Sequence, residues 1–510
     1  MGRGDQPRRD MFVDRESAIS PPPGEPARAS ALRWIVATFL AGSALQVWMI
    51  LRSWVYFDQV LLLRLGLRWA VDHELVAWGK VMSGGGAIPG CALELAVGLP
   101  LSLWMDARSP LLFLFVSHLL AGVLLVRLLW RWVAADVALW FAVLYWLSPW
   151  RLFHGGFLWE PGYLLLPAAV ALWAGFALRP GHPASRGPAS NEPVSKGAVS
   201  KGAASRDPAA RGVRIGASAA LGASVTLAPQ LHASGILLGA QTLLLLLPPA
   251  RRIRPSWGGL VAGSSLGLLP LVPAARALAV GELPPWAPVE GRLFAGLIEV
   301  HPLLKSLTLW VRIASAETAR RLLETVFVRD YGGRVDAAPP SELAWLWVGP
   351  LAAIAVASAV LVAVAQWRVM GPRSRIAPRA RAGAAEEPVA WLIHGSKTAL
   401  LVLLAATALS PVSPQMRYVL VFLHFACLPV ALWLVRALPE LGNRLRSAIV
   451  VLVLIRVPMA LVLGFGHPMY RPPDDAAARA RLSGEALQEL ELMPAPFGSG
   501  KERELPVGVR

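Results

Sequence analysis

The chain has 510 residues, of which 55% are hydrophobic and 16% are charged, and its formal net charge is +17. Soluble domains carry about 25% charged residues, so the composition excludes an ordinary soluble protein and predicts an all-α polytopic membrane protein. The two cysteines, Cys91 and Cys427, lie in apolar stretches, which argues against a disulfide framework or a cysteine-based metal centre. The positive charge is almost all arginine, and we expect it to meet anionic lipid rather than nucleic acid.

Residues 1–31 are polar and basic, which predicts a disordered cytoplasmic leader. About eleven apolar stretches follow, each close to the ~20 residues that cross a bilayer. One further stretch, 86–105, opens with glycine and proline and is predicted to be a re-entrant or surface-lying helix. The predicted spans are 32–51, 110–127, 133–149, 160–178, 214–229, 232–249, 257–277, 342–366, 390–410, 415–436 and 447–465.

Arginine and lysine concentrate between the predicted spans. If 86–105 does not cross the membrane, the leader and every basic cluster lie on one face. Basic loops are usually cytoplasmic, so this arrangement predicts a cytoplasmic N-terminus, an exoplasmic C-terminus and an inner-membrane protein. The clusters lie at 127–131, 179–214, 251–254, 368–381 and 436–446.

The spans fall into two halves. The stretch 180–213 is polar and of low complexity, which predicts a flexible cytoplasmic linker between an N-terminal module, 32–179, and a C-terminal half, 214–465. The connection 278–341 is long, so we expect an exoplasmic loop that covers a site or forms an interfacial amphipathic helix. Residues 466–510 are predicted to be an exoplasmic tail.

Asp58 stands just after the first span, at the start of the first exoplasmic loop, 52–109. A lone carboxylate at this depth is either a catalytic base or an interfacial acid that hydrates a helix end. Asp72 and Glu74 share the loop with several basic residues, so a solvated ion-paired face is the expectation for them.

The same face receives further polar side chains. Glu160 either caps a helix or contributes to a site, and His154 and His232 either line a cavity or are structural. Arg417 lies in a short proline-bounded turn beside Tyr418, where it either binds phosphate or reaches to the membrane interface. The reserve cations on this face are Arg64, Arg68, Lys80 and Arg151.

This set of residues suits a particular chemistry. ATP and nucleotide sugars are not freely available outside the cytoplasm, so a transferase there needs a donor carried in the bilayer, such as a polyprenyl-phosphate sugar. Glycosyl transfer needs a base for the acceptor and a cation for the departing phosphate, which Asp58 and Arg417 are predicted to supply. We expect no metal and no cofactor besides this lipid-linked donor. The acceptor is a glycan, a lipid or a protein.

A family resemblance rests on short motifs in residues 32–250. The chain resembles the C-type (GT-C) membrane glycosyltransferases, the group of the protein O-mannosyltransferases and the lipid A aminoarabinose transferases. The resemblance implies that Asp58 is the catalytic residue, although Gln59 stands where a second acid is usual and Ile88-Pro89-Gly90 replaces a Pro-Pro opening. The motifs are Asp58 after the first span, the helix at 86–105, a span ending Arg127-Leu-Leu-Trp-Arg131, Ser148-Pro149, Glu160-Pro161 and Arg417-Tyr418.

Two other classes remain open from the sequence. A transporter or lipid flippase would place ionisable residues near span centres and would contain internal repeats, and most span centres here are uncharged. An O-antigen-type polymerase or ligase would share the exoplasmic loops but would depend more on arginine and histidine than on a first-loop aspartate.

Overall fold

The computed structural model describes residues 25–53, 57–81, 86–180, 208–247, 252–284, 300–318, 342–372, 388–410 and 414–466. Most of the predicted leader, linker and tail, and two parts of the loop 278–341, lie outside these ranges. Within them, seven helices are long and apolar enough to cross a membrane, or eight if one bent pair counts as a single span. The prediction of an all-α polytopic membrane protein is therefore confirmed.

Eighteen α-helices and one small sheet occupy the described ranges. The strands are β1 (Trp78–Val81) and β2 (Ala87–Pro89). The helices are α1 (Glu25–Arg52), α2 (Phe57–Asp72), α3 (Ala92–Leu103), α4 (Ser109–Trp132), α5 (Ala135–Trp146), α6 (Pro149–Gly155), α7 (Leu165–Ala177), α8 (Pro208–Leu231), α9 (Ile236–Leu246), α10 (Trp257–Leu268), α11 (Val272–Ala279), α12 (Val300–Ile313), α13 (Glu342–Met370), α14 (Pro388–Leu409), α15 (Met416–Val419), α16 (Leu423–Glu440), α17 (Asn443–Leu454) and α18 (Arg456–Gly466).

The helix boundaries differ from the predicted spans in several places. The helix α1 begins at Glu25, inside the predicted leader, and α8 begins at Pro208, inside the predicted linker. The predicted spans 133–149 and 232–249 correspond to apolar helices of fewer than 18 residues, and 160–178 is one arm of the bent pair. Residues such as Pro149 interrupt the apolar stretches, so sequence counting predicted eleven spans where fewer helices have full spanning length.

The first loop forms a compact unit beside the bundle. The helix α3 packs along α2 so closely that a Cβ at Gly98 would lie 2.6 Å from the carbonyl oxygen of Gly66. With 12 residues, α3 is about 18 Å long, too short to cross a ~30 Å hydrocarbon core, as predicted for 86–105. The strands β1 and β2 pair antiparallel between the two helices, and the sequence analysis did not predict this hairpin.

Contacts between the ends of helices define two poles of the bundle. At one pole, which we call the basic pole, Arg214 donates to the carbonyl of Arg254, and the Trp391 indole donates to the carbonyl of Arg252. Two of the predicted basic clusters, 179–214 and 251–254, therefore meet there, and Arg179 also lies over the ring of Trp132, which directly follows the cluster 127–131. At the other end, which we call the site pole, the first loop meets the segment that follows α6. The turn after α8 and the short helix α15 contact each other there, and α15 also contacts the segment after α6.

Candidate functional site

A sharp break in one apolar segment places two of the predicted site residues, His154 and Glu160, at the site pole. The helix α6 and the segment Glu160–Ala177 meet at an angle of 117°. The Ser148 hydroxyl caps α6 by accepting a hydrogen bond from the Arg151 amide at 3.3 Å, and Pro149 follows at the first helical position. The chain is extended at Trp159 and then enters a 3-10 turn at Glu160. This geometry puts His154, Trp159 and Glu160 at the break rather than inside a continuous helix.

The first loop places a cation, Lys80, at this break. Lys80, on β1, lies with its Nζ atom 2.9 Å from Oε1 of Glu160, and the two side chains are only 13% and 7% exposed. The other oxygen of Glu160, Oε2, is buried and makes no hydrogen bond within the described part of the chain. An unsatisfied buried carboxylate oxygen is costly, so this atom is a candidate contact for a bound hydroxyl or amine.

Arg417 forms the opposite side of the same site. Its guanidinium lies over the rings of Trp159 and Tyr418, 5.2 Å from each centroid, and Nη2 donates to the Tyr418 hydroxyl at 3.2 Å. Its Nε is buried and has no hydrogen-bond partner among the residues that the structure describes. The aromatic rings orient the guanidinium, and a donor remains for an anionic group.

His232 lies next to Tyr418 and between the two cations. Its ring stacks on the Tyr418 ring with centroids 5.8 Å apart, and Nδ1 accepts a hydrogen bond from the Ser234 amide at 3.1 Å. Burial, reinforced by the charges of Arg417 and Lys80, lowers the pKa of His232 to about 3. The ring is therefore neutral at pH 7, and its remaining N–H is a donor in a positively charged site.

His154 has a different environment from the other four residues. It is 1% exposed and packs between Trp150 and Trp159, with ring centroids 6.1 Å and 5.3 Å away. It contacts the site through Trp159, whose ring also lies under the guanidinium of Arg417. This packing agrees with the structural alternative for His154, while His232, Glu160, Arg417 and Tyr418 surround the site directly.

Asp58 is the second residue of α2, and its side chain lies outside the described part of the structure. The neighbouring residue ties this helix turn to the break, because the Gln59 Oε1 atom accepts a hydrogen bond from the Leu158 amide at 3.0 Å. Leu158 is two residues before Glu160. The backbone of Asp58 therefore belongs to the same pole and the same neighbourhood as the cations.

Three of the four reserve cations have different partners in the structure. Arg68 forms an exposed ion pair with Glu74 at 2.6 Å, in agreement with the predicted solvated face. Arg151 is fully buried and donates to the carbonyls of Tyr145 and Trp146, at the end of α5. It is a helix cap, so its suggested role as a phosphate ligand was wrong. Lys80 is the reserve cation that joins Glu160.

Sequence reasoning missed the role of Trp159 as a platform for Arg417 and the pairing of Lys80 with Glu160. The Gly84-Gly85-Gly86 run between two short apolar stretches was a hairpin signal that would have placed Lys80 on a strand. No group of three His, Cys, Asp or Glu side chains converges as a metal site in the ranges that the structure covers.

Fold and site together define a multi-pass helical membrane protein with a cationic, aromatic-lined site at one pole. The chain matches no protein-family model and no curated protein sequence. Among solved structures, it is similar to the crystal structure of ArnT from Cupriavidus metallidurans bound to undecaprenyl phosphate. The identity is 14%, the similarity covers 91% of this chain and 78% of that chain, and the TM-score is 0.46.

Proposed function

We propose that the protein is a membrane glycosyltransferase that moves a sugar from a polyprenyl-phosphate donor to an acceptor on the exoplasmic side of the inner membrane. The observation that carries this proposal is the convergence at the site pole of two cations, Lys80 and Arg417, with Glu160, a buried carboxylate that has a hydrogen-bond partner at only one of its oxygens among the described residues. Two cations beside a neutral histidine suit a phosphate, and the lipid chain of such a donor stays in the bilayer.

The site residues have complementary roles in this proposal. Arg417, with its free Nε, and Lys80 bind the donor phosphate, and His232 and Tyr418 add neutral hydrogen-bond donors beside it. The second oxygen of Glu160 accepts a hydrogen bond from a sugar or acceptor group. The His154 ring packs against the Trp159 ring and helps to hold it in place.

The reaction is a displacement at the anomeric carbon with inversion. The acceptor hydroxyl or amine attacks this carbon, and its proton passes to the carboxylate of Asp58 as the new bond forms. The bond between the anomeric carbon and the phosphate oxygen breaks at the same time, and its electron pair leaves with the polyprenyl phosphate. Arg417 and Lys80 stabilise the charge that develops on this leaving group.

The test is a transfer assay on purified protein in lipid with a radiolabelled polyprenyl-phosphate sugar and envelope glycolipid as acceptor. We expect Asp58→Asn to lower the transfer rate about 1,000-fold and Arg417→Gln about 100-fold, because each removes a group needed in the transition state. Mass spectrometry of envelope glycans in a deletion strain identifies the product that is lost.

Asp72→Asn is the matched control, because Asp72 is an exposed carboxylate on the same helix, α2. It should leave transfer unchanged. If the wild type transfers sugar and the Asp58→Asn variant does so at the same rate, Asp58 is not the base. Movement of the intact lipid-linked sugar across vesicles, with no transfer, would identify a flippase instead.

A further inference from the structure

A buried polar network lies next to the break between α6 and Glu160–Ala177, where Trp159 and Glu160 are found. Its members are Gln46 on α1, His118 on α4 and Arg151 on α6, each at most 1% exposed. Polar side chains in the interior of a membrane bundle are costly unless they are fully hydrogen-bonded, so their partners indicate what they do.

The network donates hydrogen bonds to backbone carbonyls on both sides of the break. The Gln46 Nε2 atom donates to the carbonyl of Gly155 at 3.1 Å, and His118 Nε2 donates to the carbonyl of Gly162 at 2.9 Å. Gly155 ends α6, and Gly162 lies in the 3-10 turn that contains Glu160. A Cβ at position 155 would lie 2.5 Å from Gln46 Nε2, so only glycine lets the amide reach this carbonyl.

Every hydrogen bond in the network has a defined direction. The guanidinium of Arg151 donates to Gln46 Oε1, which orients the Gln46 amide with its nitrogen toward Gly155. The second N–H of this nitrogen points to His118 Nδ1 at 3.4 Å, which leaves the His118 proton on Nε2 for Gly162. Arg151 also caps the last carbonyls of α5, where the helix dipole stabilises its charge.

We propose that Gln46, His118 and Arg151 form a clamp that positions Trp159 and Glu160 by holding the carbonyls of Gly155 and Gly162 across the break. These three are positioning residues that do not touch substrate. The consequence for turnover rests on the proposed transferase function, whereas the effect on the backbone does not.

The first measurement is hydrogen exchange of the peptide 156–162, followed by mass spectrometry, on the full-length protein in detergent. Gln46→Glu keeps an acceptor for Arg151 but removes both N–H donors, so we expect exchange in this peptide to rise about tenfold. His118→Leu, which removes the other donor, should give the same result, and His118→Gln should restore protection because its amide donates again.

Gln241→Glu is the matched control. Gln241 is a buried glutamine that donates to the carbonyl of Gly395 at 3.0 Å in another helix pair. This variant should leave the exchange of 156–162 unchanged. Unchanged exchange in both Gln46→Glu and His118→Leu overturns the clamp.

The second measurement is turnover with the lipid-linked donor. Misplacement of Glu160 and Trp159 weakens the contacts of Lys80 and Arg417 with the leaving phosphate, so kcat/KM for the donor should fall about tenfold in Gln46→Glu. Rescue by His118→Gln supports the positioning role. If exchange responds as expected but the wild type transfers no sugar, the clamp stands and the proposed function fails.

Discussion

Glu94 is a fully buried carboxylate between the two helices of the first loop. Its Oε2 atom accepts a hydrogen bond from the Val76 amide at 2.9 Å, and Oε1 has no partner in the described part of the chain. Burial raises the pKa of Glu94 from its usual 4.5 to about 7, against the opposing effects of the Val76 amide and Arg68. The loop that carries Lys80 thus contains an acid that titrates near neutral pH.

This residue predicts a specific dependence of stability on pH. The folded-state pKa lies above the unfolded value, so between about 4.5 and 7 the folded protein holds a proton that the unfolded chain releases. The resulting stability is complete below 4.5 and is lost as the pH rises through 7. Glu94→Gln is neutral at every pH, so we expect its Tm in detergent to exceed that of the wild type by about 2 °C at pH 8 and to match it at pH 4.5.

Thermal unfolding at the two pH values checks this prediction. Glu74→Gln is the control, because Glu74 is half exposed in its ion pair with Arg68. It should not reproduce the pH-dependent gain. A Glu94→Gln protein with the same Tm difference at both pH values would contradict the proposed titration.

At the scale of elements, the first loop is docked against a break in another helix. Between α10 and α11 the chain forms a 3-10 turn at Leu269–Leu271, and the carbonyl of Pro270 accepts a hydrogen bond from the Cys91 amide at 2.9 Å. Gly90 makes this approach possible: its φ is +83°, and a Cβ there would lie 2.5 Å from the Pro270 oxygen. The hairpin and its lysine are therefore held by a tight backbone contact.

A pair of glycine substitutions tests this docking. Gly90→Ala combines an unfavourable positive φ with a clash, whereas Gly86→Ala has φ +71° but meets nothing within 4 Å. Backbone strain should lower the free energy of unfolding by about 1 kcal/mol in both variants. We expect the clash to lower it by a further ~1–3 kcal/mol in Gly90→Ala alone and to loosen the hairpin there. Thermal unfolding measures the stability, and the rate of tryptic cleavage after Lys80, on β1, reports the hairpin. Equal losses in the two variants would show that the docking contact is unimportant.

At the scale of the whole molecule, the two poles differ in chemistry. One pole collects arginine-bearing turns, and the other collects the break, the hairpin and Arg417. The positive-inside tendency predicts that the basic pole faces the cytoplasm, which would put the candidate site on the exoplasmic side. A lipid-linked donor is required only if this orientation holds.

Cysteine labelling tests the orientation. Gln415 and Asn443 are exposed and lie at opposite ends of the span Met416–Glu440. A membrane-impermeant maleimide added to spheroplasts should label Gln415→Cys but not Asn443→Cys until the membrane is opened. The wild type is the blank, because Cys91 and Cys427 are buried. The reverse pattern would put the site on the cytoplasmic side and remove the argument for a membrane-delivered donor.

Long apolar stretches and the distribution of arginine were sufficient to predict a multi-pass helical protein, because the bilayer imposes both features on the sequence directly. The same reasoning selected Glu160, His232, Arg417 and Tyr418, which the fold brings to one pole. These residues flank spans on the same predicted face, so their common location follows from counting crossings.

Pairings between distant elements required the tertiary structure. Lys80 meets Glu160 across 80 positions, and Gln46 meets Gly155 across 109. In a membrane protein both the lipid-facing and the buried faces of a helix are apolar, so periodicity does not reveal which helices are neighbours. Arg151 illustrates the consequence. Its position in the sequence suggested a phosphate ligand, and only the packing of α5, α1 and α6 made it a buried cap that holds the network behind the site.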